Sequence, residues 1–142
     1  MTTEASRQVV TQFLDRFNAG DFDAAFALMA DDATWWLPTD VPGGMTMSKR
    51  AMHASMGTLG DAFRESPKMV RGRVTAEDDR VSVEQHSRGG VTRGGASYAN
   101  DYHMLFQLRD GLIVEVREYM NPVLAAAFMA ELQGGAAGGS PA

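Results

Sequence analysis

One acidic residue stands in an apolar run close to the end of the chain. Glu118 follows Val114 and Val116 at alternate positions, so in a β-strand the three side chains lie on one face. Burial among apolar groups disfavours the charged carboxylate and raises its pKa, unless a cation pairs with it. Because a carboxyl group with a raised pKa can exchange a proton near neutral pH, we predict Glu118 to act as the general acid or base.

A second strand-like run carries the groups that would assist Glu118. From Tyr98 to Leu108 one face is mostly apolar, which predicts that it points inward and carries Asn100 and Tyr102 with it. Both side chains can donate hydrogen bonds to an oxyanion as it develops, so we predict them as the catalytic partners of Glu118. The structural alternative is that Glu118 pairs with an arginine, while Asn100 and Tyr102 satisfy one another.

The opposite face of the same strands offers a rival group of polar side chains. It consists of Glu84, His86, Asp101, His103, Glu115 and Arg117. Histidine beside carboxylate can form a dyad or a metal site, but a mixed-charge face that meets solvent or a second subunit explains the same pattern, and we predict no bound metal. A β-bulge between Ser87 and Tyr98 could bring His86 inward. His86 is therefore a reserve candidate, together with Asp40 in a Pro/Gly loop and His53 beside a helical apolar stripe.

The N-terminal half of the chain supplies the helices that would cover these strands. Apolar residues repeat at helical spacing from Val10 to Phe17, and Gly20 and Asp21 mark the stop of that helix and the cap of a short second one. Ser48 is the predicted cap of a third helix. The apolar stripe of that helix is Met52, Met56, Leu59 and Phe63. Residues 33–37 are typical of a strand, and residues 38–44 of a loop.

From Pro67 onward the apolar period changes from 3.6 to 2, which indicates strands. The predicted strands span residues 69–77, 81–87, 98–108 and 112–120, with a glycine-rich bend at 89–95 and an Asp110-Gly111 hairpin turn. Asn121 is the predicted cap of a final helix. Helices followed by hairpins predict an α+β fold, with an antiparallel sheet and the helices on one face. We expect a single domain over residues 1–133 and a low-complexity, disordered tail over residues 134–142.

Composition argues against several classes of function. The 142 residues include no cysteine, which excludes a disulfide framework, a thiolate nucleophile and a cysteine-ligated zinc ion, and fits a reducing compartment. The net charge of −5 argues against nucleic acid as a partner. The first residues show no signal-peptide pattern, and no apolar run approaches the ~20 residues that span a bilayer. We therefore expect a cytoplasmic protein with neither membrane nor nucleic-acid partners.

Six short motifs together resemble one known superfamily. They are Phe17-Asn-Ala-Gly-Asp-Phe-Asp23, Met29-Ala-Asp-Asp-Ala-Thr-Trp35, Tyr98-Ala-Asn-Asp-Tyr102, Phe106, Asp110-Gly-Leu-Ile113 and Arg117-Glu-Tyr119. Their order and spacing are similar to those of the nuclear transport factor 2-like superfamily, in its SnoaL-like and ketosteroid isomerase-like branch. The resemblance implies a cystatin-like cone, in which a curved antiparallel sheet wraps around the N-terminal helices and leaves a deep pocket. It also implies a homodimer.

Strand parity and the resemblance together give the residues expected to contact a substrate. The resemblance implies that the side chains of Trp35 and Leu37 point inward. The residues expected to contact a substrate are Phe17, Trp35, Leu37, Met56, Val83, Gln85, Met104 and Val116. Two known catalytic sets of the superfamily have no complete counterpart. The positions that resemble those of ketosteroid isomerase hold Phe13, Leu37 and Tyr102. Of the set that resembles limonene epoxide hydrolase, only the last acid is kept, as Glu118.

The resemblance therefore implies a function that needs one proton-transferring group and an apolar pocket. We expect cofactor-free acid/base chemistry of the isomerase, cyclase, dehydratase or hydrolase type. The expected substrate is a small, largely apolar molecule that bears a carbonyl or an epoxide group. The alternative is a non-catalytic small-molecule-binding or interaction domain of the same fold, which the loss of the known catalytic sets would explain.

Overall fold

The computed structural model describes residues 2–138, which form four helices and the seven strands of a single sheet. In chain order they are α1 (Thr3–Asn18), α2 (Phe22–Phe26), β1 (Met29–Leu37), β2 (Met45–Ser48), α3 (Lys49–Asp61), β3 (Phe63–Glu65), β4 (Lys68–Glu77), β5 (Arg80–Thr92), β6 (Ser97–Arg109), β7 (Leu112–Met120) and α4 (Pro122–Gly138). This is the α+β cone that the sequence predicts, with a curved, open sheet around the helices. No helix in this part of the chain combines the length and apolarity needed to cross a membrane.

Short polar side chains begin the helices, as the sequence predicts. The side chains of Asp21 and Ser48 accept hydrogen bonds from backbone N–H groups in the first turns of α2 and α3, at 3.3 and 3.1 Å. Asn121 does the same at the start of α4, at 3.0 Å. The sequence suggests Thr3 as the cap of the first helix, but Thr2 caps α1, and the Thr3 hydroxyl instead accepts a hydrogen bond from the backbone N–H of Asp78.

The sheet contains one parallel strand pair in an otherwise antiparallel arrangement. Its order over residues 2–138 is β2-β1-β7-β6-β5-β3, and β4 also pairs with β5. The parallel pair is β1 with β7, so the expectation of an antiparallel sheet is corrected for that pair. The β6–β7 hairpin closes through Asp110 and Gly111 with φ values of 52° and 82°, as a type I′ turn requires.

An aromatic core joins the helices to the inner face of the sheet. It consists of Phe13, Phe17, Phe26, Trp35 and Phe106, whose ring centroids lie 5.7–6.2 Å apart in the contacting pairs. All of these side chains except Phe17 are at most 1 % exposed. Ring pairs at such separations add directional attraction to the burial of apolar surface. The aromatic core therefore fixes the helices over the strands.

Several predicted boundaries differ from the structure because tertiary pairing moves them. Strand β5 runs through the expected glycine bend, since Gly89 takes a left-handed φ of 73° at a bulge and the pairing with β6 resumes at Gly90. Phe63 pairs with Thr92 in β3 instead of ending α3. Helix α4 continues to Gly138, past the expected domain boundary at residue 133, and residues 139–142 of the expected tail lie outside the described residues.

Candidate functional site

Glu118 points to the inner face of the sheet, where β1, β6 and β7 meet. It stands opposite Met104 of β6, and its neighbour Val116 stands opposite Trp35 of β1. The Trp35 indole Nε1–H donates a hydrogen bond to Glu118 Oε1 at 3.2 Å. Because Trp35 is fully buried, this bond holds the carboxyl group in one position.

Desolvation dominates the electrostatics of Glu118. Protein atoms surround most of the carboxyl group, although the residue remains partly accessible, and this burial raises its pKa to about 7, against a smaller lowering by the Trp35 N–H. Among the described residues, no arginine or lysine forms an ion pair with Glu118, so the structural alternative of an arginine partner does not occur. The carboxyl group therefore populates both protonation states near neutral pH.

Tyr102 lies beside Glu118 and keeps its proton. Its hydroxyl is 3.2 Å from the Tyr98 hydroxyl and 3.4 Å from Ser87 Oγ. Burial raises the pKa of Tyr102 well above its usual value, and the nearby Glu118 charge raises it further. Tyr102 can therefore donate a hydrogen bond to a ligand oxygen, but it cannot serve as a base.

Asn100 is buried and its amide is fully engaged within the chain. Its Nδ2 donates to the Tyr98 hydroxyl and to the Asn121 carbonyl, both at 3.1 Å. Its Oδ1 accepts from the backbone N–H groups of Asp101 and Asn121, at 2.8 and 3.0 Å. These bonds leave no amide hydrogen for an oxyanion. The geometry thus favours a positioning role for Asn100, which holds Tyr98 and the start of α4, over the predicted donor role.

Gln85 and Ser87 complete a polar cluster on the inner face, defined here as Gln85, Ser87, Tyr98, Asn100, Tyr102 and Glu118. Gln85 is 6 % exposed, and its Nε2 donates to Met104 Sδ at 3.1 Å, whereas its Oε1 has no partner among the described residues. Ser87 Oγ accepts from the backbone N–H of Asn100 at 3.0 Å. The strand parity that placed these side chains inward is correct.

The predicted substrate-contacting residues divide into two groups by exposure. Trp35, Met56, Val83, Met104 and Val116 are at most 6 % exposed and belong to the packed core, as is Gln85 at its polar edge. Phe17 and Leu37 remain partly accessible. Met47 of β2 and Leu59 of α3 are also partly accessible and pack against the same core. The predicted apolar stripe of the third helix includes Leu59. Met47 was not predicted as a contact residue because β2 was not predicted.

The helix α4 covers one end of the polar cluster. The Phe128 ring stacks on Phe63 at 4.9 Å and contacts Tyr98 at 4.7 Å. The Thr92 hydroxyl donates to the Glu131 carboxylate, which fixes the same helix to the end of β5. Apart from the apolar residues of the helix, no local pattern predicts this cover, because β3, which carries Phe63, forms only by pairing with β5.

Two cavities open at the surface of the described residues, and both involve reserve candidates. One, of about 450 Å³, lies over the outer face and is lined by Gly72, Glu84, Gln85, His86, Asp101, Tyr102, His103, Tyr119 and Met120. The other, of about 270 Å³, lies beside α2 and α3 and is lined by Gly20, Asp21, Phe22, Asp23, His53, Met56 and Gly57.

The reserve candidates stay outside the polar cluster. The bulge of β5 falls after Ser87, so His86 still pairs with Asp101 on the outer face. His53 Nε2 lies 2.8 Å from Asp23 Oδ1, with the imidazole stacked on Phe26. Asp40 is exposed in its loop. Among residues 2–138, no group of three or more histidine or carboxylate side chains could hold a metal ion.

A family model described as a SnoaL-like domain matches residues 10–116. No curated protein sequence matches the chain. Solved structures with the same fold include a putative polyketide cyclase from Xanthomonas campestris pv. campestris, which is 26 % identical with a TM-score of 0.71 and covers 88 % of this chain and 98 % of its own. An LEH-like epoxide hydrolase from M. tuberculosis is 17 % identical, with a TM-score of 0.69 and coverage of 91 % and 92 %. An NTF2-like protein from Burkholderia xenovorans LB400 is 22 % identical, with a TM-score of 0.70 and coverage of 89 % and 97 %.

Proposed function

The chain belongs to the SnoaL-like domain family, and on that premise we propose that it is a cofactor-free acid/base enzyme acting on a small, largely apolar carbonyl or epoxide compound. One observation carries the proposal. The Glu118 carboxyl group, with a pKa of about 7, is held by Trp35 beside a Tyr102 phenol that stays protonated. A base and a hydrogen-bond donor with separate protonation states are the two groups that such chemistry needs.

Glu118 and Tyr102 would have different roles at a carbonyl substrate. The Glu118 carboxylate takes a proton from the carbon next to the carbonyl, while the Tyr102 hydroxyl donates a hydrogen bond to the carbonyl oxygen, where negative charge develops. The protonated Glu118 then returns the proton to the product. At an epoxide, Glu118 would take a proton from a water molecule whose oxygen bonds to a ring carbon, while the ring C–O bond breaks and the Tyr102 hydroxyl donates a hydrogen bond to the leaving oxygen. That oxygen then receives the proton from Glu118.

The accessible part of the inner face fits an apolar substrate. Phe17, Leu37, Met47 and Leu59 are the partly buried apolar side chains there, and methionine adapts its shape to different ligands. No cation faces Glu118 among the described residues. A substrate carboxylate placed beside Glu118 would meet like charge, so we propose an uncharged reacting group.

The names of two structural relatives support this class of reaction. One is a putative polyketide cyclase and the other an LEH-like epoxide hydrolase. Both kinds of reaction need a group that accepts or gives a proton while negative charge develops on an oxygen atom. The sequence identities of 26 % and 17 % do not carry a substrate over to this chain, so the choice of substrate rests on its own residues.

Replacing Glu118 tests the proposal directly. Glu118→Gln removes the titrating group but keeps the size of the side chain and an acceptor for Trp35. We expect turnover of a carbonyl or epoxide substrate, found by screening, to fall at least about 100-fold. The matched control is Glu115→Gln on the outer face of the same strand, which should leave turnover unchanged. Equal rates for wild type and Glu118→Gln would refute the assignment of Glu118.

The alternative function is binding without catalysis. The incomplete match to the two known catalytic sets favours it, because a protein that binds without reaction does not need them. Native mass spectrometry of the purified protein, combined with a pH–rate profile for each bound compound, separates the two functions. A ligand that binds and is recovered unchanged would favour the binding domain.

We also propose that the outer face joins two copies of the chain. Trp36, Arg117 and Tyr119 form a stack there, with the Arg117 guanidinium 4.2 Å above the Trp36 ring and Tyr119 39 % exposed. Aromatic and arginine side chains of this kind are enriched in subunit interfaces. Analytical ultracentrifugation should show a dimer that Tyr119→Arg weakens, and a monomeric wild type at all concentrations would exclude it.

A further inference from the structure

Two buried polar atoms on the inner face have no hydrogen-bond partner, and they belong to residues that stand opposite each other. They are Arg71 Nε and Gln85 Oε1, the two side-chain atoms of this kind among the described residues. Arg71 of β4 pairs directly with Gln85 of β5, so the two side chains leave the same face of the sheet as close neighbours. One of the two atoms can only donate and the other can only accept.

Each of the two side chains already makes a contact through another of its atoms. The Arg71 guanidinium donates through its NH2 group to Asp15 Oδ1 at 2.6 Å, which ties it to α1. The Gln85 Nε2 donates to Met104 Sδ at 3.1 Å. Turning either side chain to pair the free atom would break one of these contacts. A bound group can pair both free atoms without that loss.

A hydroxyl is the chemical group that suits both atoms. Its oxygen accepts from Arg71 Nε–H, and its hydrogen is donated to Gln85 Oε1. A carbonyl has no hydrogen to donate, and a carboxylate would bring negative charge against Gln85 Oε1. An ammonium group would be repelled by the Arg71 cation. Since Asp15 already balances the Arg71 charge, a neutral partner is favoured.

We propose that Arg71 and Gln85 recognise a hydroxyl group of the substrate, which makes the substrate a neutral hydroxylated carbonyl compound. The inference rests on the proposed function, because it places the reacting carbonyl at Glu118 and Tyr102. Arg71, Gln85, Tyr102 and Met120 stand opposite one another across four neighbouring strands. The hydroxyl would lie between β4 and β5, and the carbonyl group between β6 and β7. The two groups are therefore separated by about two strand spacings, roughly 10 Å.

Three acetylnaphthalenes of this length form a matched set of probes. They are 6-acetyl-2-naphthol, its methyl ether and 2-acetylnaphthalene, and isothermal titration calorimetry measures each at a pH where the naphthol is uncharged. We expect wild type to bind the naphthol at least about tenfold more tightly than the other two, because only the naphthol pairs both buried atoms. Equal affinities, or no binding of the naphthol, would overturn the proposal.

Substitutions in the full chain assign that preference to the two residues. Gln85→Leu should reduce the preference to about twofold or less while 2-acetylnaphthalene binds as before, and Gln85→Met serves if Gln85→Leu does not fold. Arg71→Lys keeps a cation for Asp15 but lacks the Nε–H group. It should therefore also reduce the preference for the naphthol over the other two probes. Arg73→Lys, on an exposed arginine paired with Glu84, is the control and should change nothing. A preference that survives in both Gln85 variants would overturn the proposal, because other groups would then recognise the naphthol hydroxyl. Equal wild-type affinities for the three probes would instead be expected if a buried water already paired the two atoms.

The failure of this proposal and the failure of the proposed function give different results. Glu118→Gln should abolish turnover but retain the preference for the naphthol in the binding experiment. If Glu118→Gln leaves turnover intact while Gln85→Leu removes the preference, the proton-transfer assignment fails and the hydroxyl site stands. If turnover is lost in Glu118→Gln but wild type shows no preference, the hydroxyl site fails alone.

Discussion

The inner face of the sheet has two ends that are built differently. At one end Phe106, Leu108, Ile113 and Val116 are at most 1 % exposed and pack under the aromatic core. At the other end the same two strands carry Tyr102 and Glu118, which remain partly accessible and belong to the polar cluster. The strands thus change from pure packing to polar chemistry within a few residues. Stability comes from the first end, and we assign function to the second.

The difference between the two ends shows how a buried carboxyl group is tolerated. The aromatic core gains free energy from burial, whereas burying Glu118 costs free energy once it ionises. Trp35 belongs to the aromatic core and also donates to Glu118, so it links the two ends. The packed end supplies the stability that offsets this cost at the polar end.

The largest expected effect falls in the aromatic core. Phe13→Ala removes a fully buried ring that contacts four other aromatic rings, so the free energy of unfolding should fall by about 3–5 kcal/mol. Urea denaturation measures it. Phe128→Ala, at the cover of the polar cluster, should cost clearly less. Equal losses of unfolding free energy in Phe13→Ala and Phe128→Ala would contradict the view that stability comes mainly from the packed end of the inner face.

The next effect concerns the pH dependence of stability at the polar end. The pKa of Glu118 is about 7 in the folded protein and about 4.5 in the unfolded chain, where the carboxyl group is solvated. On raising the pH, the unfolded chain therefore loses this proton first. Glu118 therefore destabilises the fold progressively between those values, by about 3 kcal/mol above pH 7 and not at all below pH 4.5. Glu118→Gln should be more stable than wild type in alkaline buffer, with no such gain in acid.

Thermal unfolding across this pH range checks the expectation. The control variant Glu115→Gln alters a half-exposed carboxylate and should follow the wild-type curve. A constant difference between Glu118→Gln and wild type at every pH would mean that Glu118 does not titrate in the folded protein as described.

A smaller effect should follow from the link between the two ends. Trp35→Phe keeps an aromatic ring in the core but removes the N–H that lowers the Glu118 pKa, so that pKa should rise by up to about one pH unit. NMR titration of the Glu118 carboxyl carbon measures the change. Trp36→Phe, whose N–H bonds the Gly43 carbonyl instead, should leave the titration unmoved. A fall of the pKa in Trp35→Phe would reverse the assigned role of the indole.

The smallest expected effect lies within the polar cluster. Tyr98→Phe removes the hydroxyl that accepts from Asn100 and contacts Tyr102, at a cost of about 1 kcal/mol in unfolding free energy. Tyr119→Phe on the outer face should cost less. A null result for Tyr98→Phe would mean that the hydroxyl network does not hold Tyr102.

Local patterns predicted much of the inner face. Alternation along β5 and β6 placed Val83, Gln85, Met104 and Phe106 inward correctly, because parity depends only on the strand. On β7, however, the pairing shifts between Gln107 and Leu108 opposite Val114, so Ile113 takes the core position that parity gave to Val114. The position of a β-bulge depends on how two strands pair, so the sequence of one strand does not predict it.

The hydrogen-bond partners of the site were beyond the reach of the sequence. Asn100 was predicted as an oxyanion donor, but Asn121 and Tyr98 take both of its N–H groups. Arg71 was not singled out, since its place on the inner face depends on the register of β4 against β5. The bond from Asn100 to Asn121 and the pairing of Arg71 with Gln85 join residues far apart in the chain, and no local pattern fixes their distances.

By itself, the sequence determined the α+β order of elements, three of the helix caps, the inward faces of the central strands and Glu118 as an acid among apolar neighbours. These depend on periodicity and side-chain chemistry within a few residues. Tertiary structure alone decided the parallel pairing of β1 with β7, which brings Trp35 against Glu118, and the unpaired atoms of Arg71 and Gln85. The physical reason is that desolvation and hydrogen-bond satisfaction depend on everything that surrounds a group, and those surroundings come from the whole fold.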